Sequence, residues 1–157
     1  MPTVDGETLA CISEVLERVA QAAGVNTEVE IDETADAVVA RYKGDGDELA
    51  ILIGHHGQAL DAIQHLAQRI GFRGAETRKP LTVDAGGYRA RRATILHGVA
   101  DQAVQAALRD GRAVVLEAMG SQERKVIHEY LKERVDVETY SEGQEPARHL
   151  VVAPVGR

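Results

Sequence analysis

The sequence predicts an α+β chain built from two small modules. Three observations carry that prediction. Apolar spacing switches between a period near 3.6 and a period of two, and glycine clusters sit at many of the switches. The order read from those switches is α-β-β-α-α-β over residues 7–85, then α-β-α-β-β. At 157 residues, the chain suits one domain or two very small ones.

The elements follow in order. Residues 7–23 carry Leu9, Cys11, Ile12, Val15, Leu16 and Val19 at helical spacing, and Gly24 ends the run. Cys11 sits in that stripe and reads as a small core residue. "TEVEID" alternates at Val29 and Ile31, "DAVVARY" supplies a second strand, and "KGDGDE" closes it as a turn. Residues 47–53 read as a short helix stopped by Gly54. Helical spacing resumes at Ala59, Leu60, Ile63, Leu66, Ala67 and Ile70 and ends at Gly71 or Gly74, before the strand "KPLTVDA". The second module opens on a long helix over residues 86–111. "RAVVLEAM" is a strand. "SQERKVIHEYLKER" is a helix with Ser121 as its N-cap and Glu123 in its first turn. "VDVETYSEG" and "RHLVVAPV" are two more strands, joined by "EGQEPA". The boundary between modules is placed between residues 86 and 87.

Composition excludes several classes. Apolar residues make up 44 % of the chain, enough for a core. No apolar run approaches the ~20 residues that span a bilayer, so membrane insertion is not expected. The acidic, amphipathic N-terminus is unlike a secretory signal. A single cysteine rules out an intrachain disulfide and fits a reducing cytosol. The net charge of −7 argues against a polyanion partner until its distribution is considered. Residues 1–50 hold twelve acids and three bases, whereas residues 51–157 hold thirteen acids and fifteen bases. Seven bases crowd residues 69–92 (Arg69, Arg73, Arg78, Lys79, Arg89, Arg91, Arg92) against Glu76 and Asp84. Salt screens charges beyond ~10 Å, so this local stripe matters more to a polyanion than the total does. On charge alone, a solvated helix face is the favoured reading.

The stretch "AILIGHHGQALDAIQ" raises the sharpest question. Gly54 and Gly57 bracket His55 and His56 between two helices. A plain turn, a metal site and a phosphate-gripping loop all use such residues. Glycines let backbone approach a ligand closely. A helix opening at Gly57 or Gln58 would aim free N–H groups and a positive dipole end at the loop. Alone, G-x-x-G is a weak signal; its place within αββααβ and beside a basic stripe strengthens it.

"ELAILIGHHGQALDAIQHLAQRI" resembles the core of a KH domain in the type II order. That family clamps the backbone of about four single-stranded nucleotides in the G-x-x-G loop. "GSQERKVIHEYLKER" holds Arg124-x-x-x-His128, the pair that names the R-three-H domain, another single-stranded nucleic-acid module. The ordered pair of motifs, with "VDAGGYRARR" between them and "YSEG…RHLVVAP" after, resembles the bacterial Jag family, also called KhpB or EloR. The resemblance covers roughly residues 5–155. It implies a type II KH domain with a three-stranded sheet and helices on one face, followed by a small α+β R-three-H domain. It further implies a cytoplasmic post-transcriptional regulator of single-stranded RNA, with single-stranded DNA as a second candidate ligand. A small single-KH protein is the implied partner. No enzymatic activity and no cofactor are expected. The chain departs from the pattern at the loop, where KH domains usually carry Lys or Arg and here both residues are His. Imidazole is mostly neutral at pH 7, so its charge at this loop becomes conditional. Some members also carry a further N-terminal Jag domain; this sequence starts almost at the KH helix, so roles tied to that domain are not carried over.

The expected RNA contacts are therefore Gly54, His55, His56, Gly57 and Gln58 in the first module. Tyr88, Arg89 and Arg92 at the start of the long helix offer stacking and phosphate contacts. Arg124 and His128, four apart, share one helix face in the second module. Arg124 could instead tie down a helix or strand end, with His128 buried beside it. A metal-dependent hydrolase is the weaker rival: no two histidines stand at i, i+4, and C-x-x-C, H-E-x-x-H, G-x-S-x-G and G-K-[ST] motifs are absent from the sequence. A protein–protein adaptor using the acidic first helix or the sheet edges is compatible with RNA binding. Gly57→Asp is expected to reduce loop binding strongly with the fold intact.

Overall fold

The computed structural model describes residues 2–156. Among them the chain forms five α-helices and two three-stranded sheets, a mixed α+β architecture. It divides into two compact units between Arg89 and Ala90, so Gly87, Tyr88 and Arg89 fall with unit 1.

Unit 1 follows the expected order. Helix α1 (Gly6–Ala22) starts at Asp5, whose carboxylate accepts the Thr8 N–H at 2.7 Å and the Thr8 hydroxyl at 2.8 Å. Those two bonds hold the Asp5 carboxyl below its ordinary range. Thr8, Ile12, Leu16 and Ala20 form an i, i+4 stripe that faces the core. Cys11, expected in the core, is only half-buried, one position off that stripe.

Strands β1 (Val29–Glu33) and β2 (Val38–Tyr42) run antiparallel, with Ile31 opposite Ala40. β2 also pairs in parallel with β3 (Leu81–Ala85), which places it at the centre of the sheet. Val38, Ala40, Tyr42, Leu81, Val83 and Ala85 alternate onto one face and bury there. That face packs against α1, the short α2 (Ala50–Ile53) and α3 (Gln58–Gly71). The buried Tyr42 hydroxyl donates to the Leu16 carbonyl at 2.6 Å, so the one polar atom of a core ring is satisfied.

Two glutamines on α3 close the outer edge of β3. Gln68 accepts the Leu81 N–H at 2.8 Å and Gln64 accepts the Val83 N–H at 2.9 Å. An edge strand is a template for unwanted pairing, and here side chains occupy its donors. Lys79, one of the bases in the stripe, is buried at 8 % exposure. Its ammonium bonds Glu33 at 2.7 Å and the Thr34 carbonyl at 2.8 Å.

Unit 2 takes most of α4 (Tyr88–Asp110), then β4 (Val114–Ala118), α5 (Ser121–Leu131), β5 (Val137–Glu142) and β6 (His149–Pro154). β6 is central and antiparallel to both neighbours. Leu96, Ala100, Ala103 and Val104 of α4 meet Ile127 and Leu131 of α5 over Val137, Leu150 and Val152.

Several boundaries differ from the sequence reading, each for a local reason. α2 is confined to four residues because Asp45 ties the preceding turn: its carbonyl accepts the Leu49 N–H and its carboxylate the Glu48 N–H. α4 starts two residues late because Gly86 and Gly87 both take positive φ. The N-cap of α5 is Gly120, not Ser121, which is the first helical residue and makes no capping bond. That helix stops at Leu131 rather than running to Arg134. Among the described residues, no helix is long and apolar enough to cross a membrane.

Candidate nucleic-acid interfaces

In unit 1 the loop between α2 and α3 is shaped by two glycines that admit no substitute. Gly54 has φ +71°, and a Cβ built on it would sit 2.7 Å from the Ala59 Cβ. Gly57 has φ +78°, and its Cβ would sit 2.7 Å from the Tyr88 ring. Either the backbone dihedral or the contact alone would disfavour a side chain; together they require glycine. The expectation that Gly57→Asp leaves the fold intact is therefore corrected: the added atoms would displace Tyr88 and strain the loop.

Between the glycines, His55–Gly57 forms a single 3-10 turn, with His56 itself left-handed at φ +51°. The Gln58 N–H closes that turn on the His55 carbonyl. Both imidazoles are exposed and stack, their centroids 3.9 Å apart. Gly57 then caps α3 in the left-handed conformation without any side-chain bond. The first turn of α3 thus opens onto a surface of glycine backbone and exposed imidazole.

Tyr88 lies at this loop: it packs on the unit 1 core and bounds Gly57. Arg89 stands behind it. Its guanidinium donates to the Val83 carbonyl at 2.7 Å, to Asp61 at 2.9 Å and to Gln64 at 3.1 Å, clamping α3 to β3. The structure brings Gly54, His55, His56, Gln58 and the half-buried Tyr88 together around a buried Gly57, with Arg89 bracing them from behind.

In unit 2 a groove of about 410 Å³ runs between α5 and β5. Arg124, Lys125, His128, Thr139, Ser141 and Arg148 are among its lining residues. Arg124 is 8 % exposed, and its donors reach the Met119 carbonyl at 2.5 Å and Glu145 at 2.6 Å. It ties the end of β4 to the β5–β6 turn and forms the groove's floor. His128 is exposed and shares a 2.5 Å hydrogen bond with the Thr139 hydroxyl. Arg92 lies elsewhere in this unit, paired with the buried Glu123 carboxylate at 2.5 Å. Sequence reasoning missed Lys125, Thr139 and Arg148. Their signal was the flank of the Arg-x-x-x-His motif and the strand pair that faces it. Among the described residues, no three His, Cys, Asp or Glu side chains are grouped to hold a metal.

Comparisons with known proteins bear on both units. A family model of the R-three-H domain matches residues 94–154, which include Arg124 and His128. The chain is 35 % identical over 140 residues to the RNA-binding protein KhpB of Bacillus subtilis, a match covering 88 % of this chain and 66 % of that protein. The chain belongs to the KhpB family. It is 34 % identical to the RNA-binding protein KhpB of Clostridium symbiosum, over 82 % of this chain and 57 % of that one. Against the protein of that name from Lactiplantibacillus plantarum the identity is 37 %, over 69 % of this chain and 34 % of the relative. The matched span is thus about two thirds or less of the length of these KhpB relatives. The matches to the Bacillus and Clostridium proteins run longer than the R-three-H domain, so the likeness extends beyond it.

Proposed function

We propose that the chain is a non-enzymatic binder of single-stranded RNA, acting in post-transcriptional control in the cytoplasm. Unit 1 is read as a type II KH domain. The observation that carries this reading is the Gly54–Gly57 loop, whose two glycines each combine a positive φ with no room for a Cβ. Such a loop lets a sugar-phosphate backbone come within hydrogen-bond reach of α3's first turn. His55 and His56 lie over that path and Gln58 opens the helix. Tyr88 offers a face for a base. Arg89 holds α3 in place, and at 28 % exposure its outer edge remains reachable by phosphate.

In unit 2 the R-three-H match and the groove support a second contact. Arg124 shapes its floor while His128, Lys125 and Arg148 present donors. Arg92, paired to Glu123, steadies the start of α5. The names of the relatives support RNA as the ligand. Single-stranded DNA as the alternative strand and a small single-KH protein as partner rest on the family resemblance alone.

Fluorescence anisotropy on labelled oligoribonucleotides tests the reading. Single-stranded RNA should bind, and its duplex form should bind at least about tenfold more weakly. Log affinity should fall linearly with log salt, by about 0.7 for each phosphate neutralised. Equal affinity for both forms would overturn it.

A further inference from the structure

The groove of unit 2 is lined by cations and by no acid. None of its nine lining residues is Asp or Glu, while Arg124, Lys125 and Arg148 all belong to it. A carboxylate nevertheless reaches it from outside. Among the described residues, the one acid paired with a lining side chain is Glu145, 2.6 Å from Arg124 Nη2.

The two Nη groups of Arg124 have different partners. Nη1 donates to the Met119 carbonyl at 2.5 Å and lies 3.5 Å from that of Arg148. Those contacts hold the guanidinium in place independently of Nη2. Nη2 meets Glu145, which belongs to the turn between β5 and β6. Arg124 is buried, whereas the Glu145 side chain is 57 % exposed, so the carboxylate lies on the solvent side of the pair. The same turn holds the second arginine: Arg148 Nη1 donates to the Gly143 carbonyl at 2.7 Å.

A carboxylate and a phosphate oxygen make the same charge-assisted bond to a guanidinium. We propose that Glu145 occupies the phosphate position on Arg124 and so makes the groove select a strand over a single phosphate. The inference rests on the reading of this groove as a nucleic-acid contact. A lone phosphate that reached Arg124 would form one ion pair and break one, a near-even exchange. A strand that sets one phosphate there brings its neighbours to Lys125 and His128 at high effective concentration. Those added contacts displace the carboxylate, which turns out into solvent with its loop. The groove thus repels the wrong ligand as well as attracting the right one. The rival is a purely structural tie, in which Glu145 fixes Arg124 and no anion replaces it.

The probe is inorganic phosphate, titrated into the full chain with its arginine nitrogens isotope-labelled and read at the Arg124 guanidinium. In Glu145→Gln the amide oxygen still accepts from Nη2 but carries no charge. Phosphate should bind at Arg124 about fivefold more tightly in that variant than in the native chain. Oligouridylate affinity should rise about threefold, and oligouridylate should displace the phosphate from Arg124. Glu129→Gln removes a carboxylate held by Lys132 at 2.7 Å, outside the groove lining, and should change neither affinity. Thermal melting checks that the variants fold. Should Glu145→Gln melt early, Glu145→Asp, whose carboxylate stops one methylene short, is read instead with the same expected direction. Equal phosphate affinity at Arg124 in the native chain and the variant would overturn the proposal, as would weaker oligouridylate binding by the variant. A phosphate gain that oligouridylate does not displace would keep Glu145 as the occupant and remove RNA from this groove, so the two failures are distinct.

Discussion

The loop of unit 1 and the groove of unit 2 are built on opposite rules. The loop is defined by atoms that must be missing: at Gly54 and Gly57 even a methyl group meets a neighbour at 2.7 Å. The groove is defined by atoms that must be present: Arg124, on α5, reaches Met119 and the β5–β6 turn through one guanidinium. The first surface offers backbone; the second offers side chains held by side chains. Adding atoms should break the one, and removing them the other.

The largest effect is expected where atoms are added. Gly54→Ala or Gly57→Ala should lower unfolding free energy by roughly 2–4 kcal/mol, from left-handed backbone strain and overpacking together. RNA affinity of unit 1 should fall at least about tenfold with it. Denaturant unfolding and anisotropy read the two effects; a variant with native affinity would mean that the loop backbone is not a contact.

Removing atoms should cost somewhat less. Arg124→Ala leaves the Met119 carbonyl without its donor and should destabilise unit 2 by about 1–3 kcal/mol. Arg124→Lys should not restore it, because one ammonium cannot span two acceptors as a planar fork does. His128→Ala should stay within about 0.5 kcal/mol of native stability yet weaken RNA binding. If instead His128→Ala melts early and binds normally, the pair is structural throughout.

A smaller effect separates the loop from a bare turn. A fixed charge beside a bound phosphate strengthens its hydrogen bonds. His55→Arg should therefore tighten RNA binding severalfold, measured in the His128→Ala background. An affinity that arginine does not change would leave glycine and backbone as the loop's whole contribution.

How far the sequence could be read follows the same division. The order of elements in unit 1 was legible because glycines and short-range periodicity set it. The G-x-x-G loop was legible for the same reason. The left-handed His56 was not, since φ +51° is imposed by the closures on either side. For Arg124 the sequence left two readings open, a phosphate fork and a tie to a helix or strand end, and its bonds in the fold are of the second kind. Its acceptors come from residues 119 and 145, and no local pattern links them. Lys79 read as part of a basic stripe, yet its partners lie some forty-five residues earlier, at Glu33 and Thr34.

The smallest effect concerns that pair. Bonds from Lys79 and from the Val4 N–H hold the Glu33 carboxyl below its ordinary range. A depressed carboxyl stabilises the fold above its unfolded pKa, near 4.3, and that contribution is lost as pH falls through the folded value. Unit 1 should therefore melt earlier as pH drops below about 4. Glu33→Gln should lower the melting temperature at pH 7 and reduce the acid dependence; an unchanged acid profile would place the sensitivity elsewhere.

Burial of Lys79 also turns the chain's four lysines into a chemical clock. Lys43, Lys125 and Lys132 are exposed and react at once with an amine-specific reagent. Lys79 reacts only when unit 1 opens, so its labelling rate counts openings of that unit alone. Lys125 lines the groove of unit 2, so a bound strand shields it while Lys43 continues to react. One reagent pulse, read by mass spectrometry, thus times the unfolding of one unit and the occupancy of the other in the same sample.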